Sequence, residues 1–103
     1  MNATNLTSLP DGWQDMAAVF VALGDPHRQR ILLLFEPGEE LNVGQIAGVM
    51  PLGRTTVSHH LRVLREAGVL RSEKRGKEVY FRIDKATLSG ALQHVLDYVG
   101  QNT

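Results

Sequence analysis

Thr55-Thr56-Val57-Ser58-His59-His60-Leu61-Arg62-Val63-Leu64-Arg65-Glu66-Ala67-Gly68 is the stretch that decides how the rest of the chain is read. At about 100° per residue on a helix, Val57, Leu61 and Leu64 fall in one narrow arc, and Thr55, Ser58, His59 and Arg62 project from the opposite side. One face packs and the other reaches outward. Gly68 suits the position just past a helix end, where φ > 0 is common, and Thr55 can serve as an N-terminal cap. Hydroxyls, an imidazole and a guanidinium on one face match phosphate oxygens and the acceptors of base edges. The segment therefore reads as the recognition helix of a DNA-binding domain.

Charge supports that reading once it is taken locally. The chain has 103 residues with eleven basic and eleven acidic side chains, which cancel overall. Arg54 to Arg82 nevertheless carries eight Lys or Arg against three acids, a balance of +5, while Met1 to Gly53 is −4 and Ile83 to Thr103 is −1. A basic module between acidic flanks, overlapping an amphipathic helix, points to nucleic acid. With 43% hydrophobic residues, the chain can build one domain with a modest core, and small domains often gain stability by dimerising. The absence of cysteine excludes disulfides, thiolate metal sites and cysteine nucleophiles. Neither a signal peptide nor a stretch of transmembrane length is present, so no membrane partner and a cytoplasmic location are expected.

On the N-terminal side, Asn42-Val43-Gly44-Gln45 has the capping-box form. The short helix it opens points Val43, Ile46, Ala47 and Met50 inward and breaks at Pro51-Leu52-Gly53, so that with the helix after Arg54 it makes a helix-turn-helix. Before it, Asp25-Pro26 is a cap followed by proline at the first helical position, opening a helix whose half Ile31 to Phe35 is nearly all apolar and expected to be buried. Arg28 and Arg30 lie about 200° apart on that helix, and a solvated or ion-paired role suits both better than phosphate contact. A still earlier helix starts at Asp11 or Pro10, runs from Gly12 to Leu23 with Trp13, Met16, Ala17, Phe20 and Leu23 at helical spacing, and stops at Gly24. Residues 1–10 form a flexible polar arm, leaving 11–103 as the domain.

On the C-terminal side the period changes from about 3.6 to 2. Val69 to Glu73 and Glu78 to Ile83 read as strands, joined by a basic tip, Lys74-Arg75-Gly76-Lys77. Three cations there suit a wing that touches DNA phosphates. Asp84 then caps a helix over Lys85 to Val99, with Leu88, Leu92, Val95 and Val99 in one stripe and Leu96 beside it. The expected fold is mainly α with a small β-hairpin, in the order ααααββα.

That order, with the runs Leu23 to Leu32, Thr56 to Gly68 and Lys74 to Phe81, resembles the ArsR-type (arsenic and metal-sensing repressor) family of winged helix-turn-helix regulators. The resemblance spans about Ala17 to Tyr98 and implies a homodimer built from the first and last helices, repressing transcription by binding a double-stranded operator. The departures matter as much. Where some family members carry a Leu-Cys-Val-Cys-like metal-sensing stretch, this chain has Leu41-Asn42-Val43-Gly44. Where others bind zinc across paired C-terminal helices, alignment on Val79 to Arg82 puts Lys85, Thr87, Tyr98 and Gln101, none a good ligand for such an ion.

Residue by residue, DNA contact is expected from Arg54, Thr55, Thr56, Ser58, His59 and Arg62 on the helix and from Lys74, Arg75 and Lys77 in the wing. Thr56 lies nearer the flank, a position that also suits bracing the turn. His60 falls about 60° from the apolar centre and reads as a half-buried hydrogen-bonding residue. The dimer interface is expected at Trp13, Met16, Phe20, Leu88, Leu92, Val95 and Val99. His94 and Asp97, at i, i+3, could chelate with Asp84 of a partner, but lack a fourth ligand and read better as an ion pair, so no metal and no cofactor is expected. No catalytic constellation is present. A rival from another class is a winged-helix protein-interaction module with only non-specific affinity for nucleic acid, and a small-molecule inducer is an open question in either case.

Overall fold

The computed structural model describes residues 1–102, Asn102 in its backbone only; Thr103, the last residue of the expected domain, lies outside the described residues. The chain runs α1 (Trp13–Leu23), α2 (Pro26–Leu34), β1 (Leu41–Asn42), α3 (Val43–Val49), α4 (Arg54–Glu66), β2 (Leu70–Arg75), β3 (Glu78–Ile83) and α5 (Lys85–Asn102). The mainly α architecture with a small hairpin is as expected, but the order gains β1. This two-residue strand pairs antiparallel with β3 in the register Leu41↔Phe81 and Asn42↔Tyr80, giving a sheet ordered β1-β3-β2. Residues 1–10 carry no helix or strand and are exposed.

Caps placed by the sequence set most helix starts. Asp25 Oδ1 accepts from the N–H groups of His27 at 2.8 Å and Arg28 at 3.2 Å, with Pro26 at the first helical position. Asn42 Oδ1 accepts from the Gln45 N–H while the Gln45 side chain accepts from the Asn42 N–H, both at 2.8 Å, completing the capping box of α3. Asp84 Oδ1 accepts from the Thr87 N–H at 3.0 Å and starts α5. Two starts differ from expectation. Gly12, with φ 87°, occupies the cap of α1, and Trp13 N–H reaches the Pro10 carbonyl rather than an Asp11 side chain. Gly53, not Thr55, precedes α4. Thr55 therefore lies inside the first turn, its side chain exposed.

Helix α4 ends in a Schellman motif. The Gly68 N–H bonds the Arg65 carbonyl and the Val69 N–H bonds the Leu64 carbonyl, each at 3.0 Å, with Gly68 at φ 81°. A Cβ there would be strained by that φ and would also meet Thr87 Cγ2 at 3.3 Å. Only Ala67 to Val69 separates the helix from β2.

The core gathers Val57, Leu61 and Leu64 of α4 with Ile31, Ile46, Val69, Leu70 and Phe81. Helix α1 adds Met16, Val19 and Ala22, so its inward arc is not the expected one, and Ala17 and Phe20 face outward. Apolar residues surround this helix on nearly all sides, so periodicity does not choose the arc; the smaller Val19 and Ala22 allow close approach. Helix α2 likewise lies on the core by one face. Ile31 is fully buried, whereas Leu33 is 84% exposed, contrary to the expectation that its apolar half is buried.

One contact ties α1, α2 and α4 together. Arg28 Nε donates to the Ala22 carbonyl at 2.7 Å and Nη2 to the Val21 carbonyl at 3.2 Å, capping the end of α1. Its Nη1 lies 3.2 Å from His60 Nδ1, and since a guanidinium only donates, His60 accepts at Nδ1 and carries its proton on Nε2. Where the sequence suggests a solvated or ion-paired role, Arg28 is half-buried and, among the described residues, bonds helix carbonyls and His60 rather than a carboxylate. His60 is 7% exposed. Its burial pushes the imidazole below the usual 6.5; Asp25 opposes that shift and Arg28 reinforces it. Protonation would replace the acceptor with a donor facing Arg28. Because the unfolded chain binds this proton more readily than the folded one, stability falls as pH drops through 6.5 toward the lowered folded value. The substitution His60→Asn, which keeps an acceptor near Nδ1 and cannot titrate, is predicted to flatten this loss in urea unfolding curves followed from pH 7 to about pH 5; parallel pH profiles for both proteins would reject it.

Candidate nucleic-acid interface

The outward face of α4 presents Arg54, Thr55, Thr56, Ser58, His59 and Arg62, all exposed, above the buried row Val57, Leu61 and Leu64. The sequence thus separates exposed from packing positions on this helix. Arg62 Nη2 lies 3.2 Å from His59 Nδ1, so His59 accepts there and its free edge is an Nε2–H donor. A donor paired with a guanidinium suits guanine O6 and N7 or a phosphate oxygen. The Arg54 guanidinium leans over the first turn of α3, where a Cβ on Gly44 would meet its Nη1 at 3.7 Å. His60 turns the other way, into the α2 contact, its ring 5.6 Å from His59 and 5.7 Å from His27.

Strands β2 and β3 pair from Leu70↔Ile83 to Arg75↔Glu78, leaving Gly76-Lys77 as a two-residue turn. Gly76 has φ 63° and Lys77 does not have a positive φ, the pattern of a type II′ hairpin. Leu70, Ser72 and Lys74 share the face of Val79, Phe81 and Ile83, and Arg71, Glu73 and Arg75 share the other with Glu78, Tyr80 and Arg82. Lys74 and Lys77 are exposed and, among the described residues, form no ion pair. Arg75 differs from its neighbours. Its Nη2 bridges Glu40 and Glu73, and its guanidinium lies 4.9 Å from the Tyr80 ring centre. The hydrogen bonds that Arg75 donates, to Glu73 first and then to Glu40, raise its pKa, and the same contact holds Glu73 below the usual carboxylate value. Arg75 braces the wing against the loop before β1, so of the three wing cations expected on DNA, two stand free. Neither Glu40 nor β1 carries a signal in local periodicity, because both act through partners more than 30 residues away.

At the root of the wing, Arg71 Nε donates to Asp84 Oδ2 at 2.7 Å. The Thr87 N–H and then Arg71 hold the Asp84 carboxyl below its usual value. Asp84 is thereby tied within its own chain. His94 packs edge-on against Trp13 with ring centres 5.3 Å apart, and Asp97 Oδ1 accepts from Gln93 Nε2 at 2.7 Å. Among the described residues no group of three or more His, Asp or Glu stands close enough together to hold a metal ion.

The residues expected at a dimer interface divide into two groups. Met16 is buried in the core, and Trp13, Leu88 and Val95 are half-buried against it. Phe20 on α1 and Leu92 and Val99 on α5 are exposed, as is Leu96, which is 64% exposed. On α5 the buried residue is Ala91, so the expected single stripe is split between an inward and an outward face. No helix among the described residues is long and apolar enough to cross a membrane.

Comparison with known proteins fits this geometry. Residues 23–73, from the end of α1 into β2, match a family described as helix-turn-helix domain. The chain is 29% identical over 86 residues to the transcriptional repressor SdpR of Bacillus subtilis, covering 84% of this chain and 94% of that protein. It is 30% identical over 92 residues to a homologue of the transcriptional repressor SmtB from Synechocystis sp., covering 89% of this chain and 69% of that protein. An ArsR-like transcriptional regulator from Rhodococcus sp. RHA1 superposes with a TM-score of 0.75 at 28% identity, over 86% of this chain and 82% of that one. The chain belongs to the ArsR-type family of winged helix-turn-helix transcriptional regulators, a family of DNA-binding proteins and not of enzymes.

Proposed function

We propose that this protein is a dimeric repressor that reads an imperfect palindrome, inserting α4 of each protomer into successive major grooves about 34 Å apart. The observation that carries this reading is the exposed polar face of α4, with His59 and Arg62 joined at 3.2 Å above a fully buried apolar row. Thr55, Thr56, Ser58 and Arg54 serve phosphates at the helix start, and His59 and Arg62 serve base edges. Lys74 and Lys77 serve phosphates from the wing, with Arg75 as its brace. Dimerisation is supported by the exposed apolar residues of α1 and α5: Phe20, Leu92 and Leu96 are too many for an isolated small domain to leave in water. The chain is also long for its size, 51 × 25 × 23 Å, with a radius of gyration of 15.9 Å against about 13 Å for a compact domain of this length. A cytoplasmic location goes with this role. The metal signals of other family members do not fit the side chains here.

A salt-titrated binding assay against genomic fragments tests the reading. Sequence-specific complexes at least about 10³-fold tighter than those on random DNA are expected, and a ratio near one would leave only an interaction module with non-specific affinity. In the same assay Arg62→Ala is expected to cost about 1–3 kcal/mol and relax preference at one base pair. Replacing Lys74 and Lys77 by Gln lowers affinity for all sequences and reduces the salt slope by about 0.9 per lysine; an unchanged slope would remove the wing from the phosphates. Sedimentation of a Leu92→Asp, Leu96→Asp protein is predicted to show a monomer that keeps its helical circular dichroism, and a persisting dimer would place the interface elsewhere.

A further inference from the structure

A cleft of about 540 Å³ opens on the outer face of the sheet, where the end of α4, the root of the wing and the start of α5 meet. Its charged lining has an imbalance that total charge conceals. Each of its three carboxylates already has a cationic partner: Asp84 is held by Arg71, and Glu40 and Glu73 by Arg75. Two of its guanidiniums are not held in this way. Among the described residues, the side chains of Arg65 and Arg82 form no ion pair or hydrogen bond, and Arg82 acts only at longer range, helping to lower the Glu73 carboxyl that Arg75 already holds. Arg82 also stands directly across the ladder from Arg71. Like charges in that position sit about 5 Å apart at Cβ and repel, whereas the next pair outward but one, Arg75↔Glu78, is of opposite sign.

We propose that this cleft binds a small organic anion, a carboxylate or phosphate ester, whose oxygens sit between Arg71 and Arg82 and are reached by Arg65 from the end of α4. Paired guanidiniums are suited to such oxyanions by their forked donors. The volume falls in the range of small-molecule sites and exceeds what one oxyanion fills, which leaves room for an organic body on the anion. Since the cleft touches α4, the wing and α5 at once, occupancy shifts operator affinity. That coupling rests on the DNA-binding reading above; anion binding itself does not.

Citrate and pyrophosphate serve as probes, titrated into the full chain at constant ionic strength with chloride as control and followed by amide NMR. Saturable shifts centred on Ser72, Arg82 and Thr87 are expected for at least one probe, weakened about tenfold or more in Arg82→Gln and in Arg65→Gln, both checked for native circular dichroism. Lack of saturation by about 10 mM for both probes, or equal shifts in the variants, overturns the site. A tenfold loss of operator affinity in Arg82→Gln without added anion also overturns it, by giving the cleft to DNA. With saturable binding, an operator affinity that is the same with and without the probe overturns the coupling alone.

Discussion

The three side-chain hydrogen bonds of Arg28 are the contact on which the rest of the molecule depends. The last carbonyls of a helix have no partner within it, and in α1 those of Val21 and Ala22 are taken by a guanidinium from the next helix. Gln29 Nε2 takes the Leu23 carbonyl beside them at 2.6 Å. The remaining arm of Arg28 then holds His60 on the packing side of α4. A single side chain therefore links the end of α1, the start of α2 and the packing side of α4, in line with the buried row Val57, Leu61 and Leu64. Rotation decides which imidazole is exposed, because His59 and His60 are neighbours in sequence, about 100° apart on the helix. With His60 held inward, His59 and Arg62 face out.

Much of this was legible in the residues, and the legible parts share a cause. Asp25-Pro26, Asn42 with Gln45, Asp84 and Gly68 act on backbone groups within three or four positions, and each performs its expected local role. The apolar row of α4 could be read because its other face is strongly polar. Helix α1 offered no such contrast, and its inward arc, Met16, Val19 and Ala22, was set by what α2 and α4 present to it. Leu33 shows the same limit from the other side: an apolar run states that a helix avoids water, not that the fold has enough partners to cover it.

The candidate site divides along the same line. Which residues face out from α4 follows from angle alone. Which cations remain available does not, because Lys74, Arg75 and Lys77 look alike until Glu40 arrives from a loop more than 30 residues earlier and withdraws Arg75. Arg65 and Arg82, unremarkable in the sequence, are set apart only by the absence of such a partner among the described residues.

The Schellman turn at Gly68 has a mechanical side. It leaves no slack between α4 and β2, and the Val69 carbonyl accepts from the Asp84 N–H at 2.9 Å, fastening the start of α5 to the same point. Helix and wing are therefore joined through a short, hydrogen-bonded corner. If a duplex is held between them as proposed, a corner with little slack leaves the DNA to supply the groove spacing, so base pairs that no side chain touches would enter the selection through the energy needed to bend or twist them.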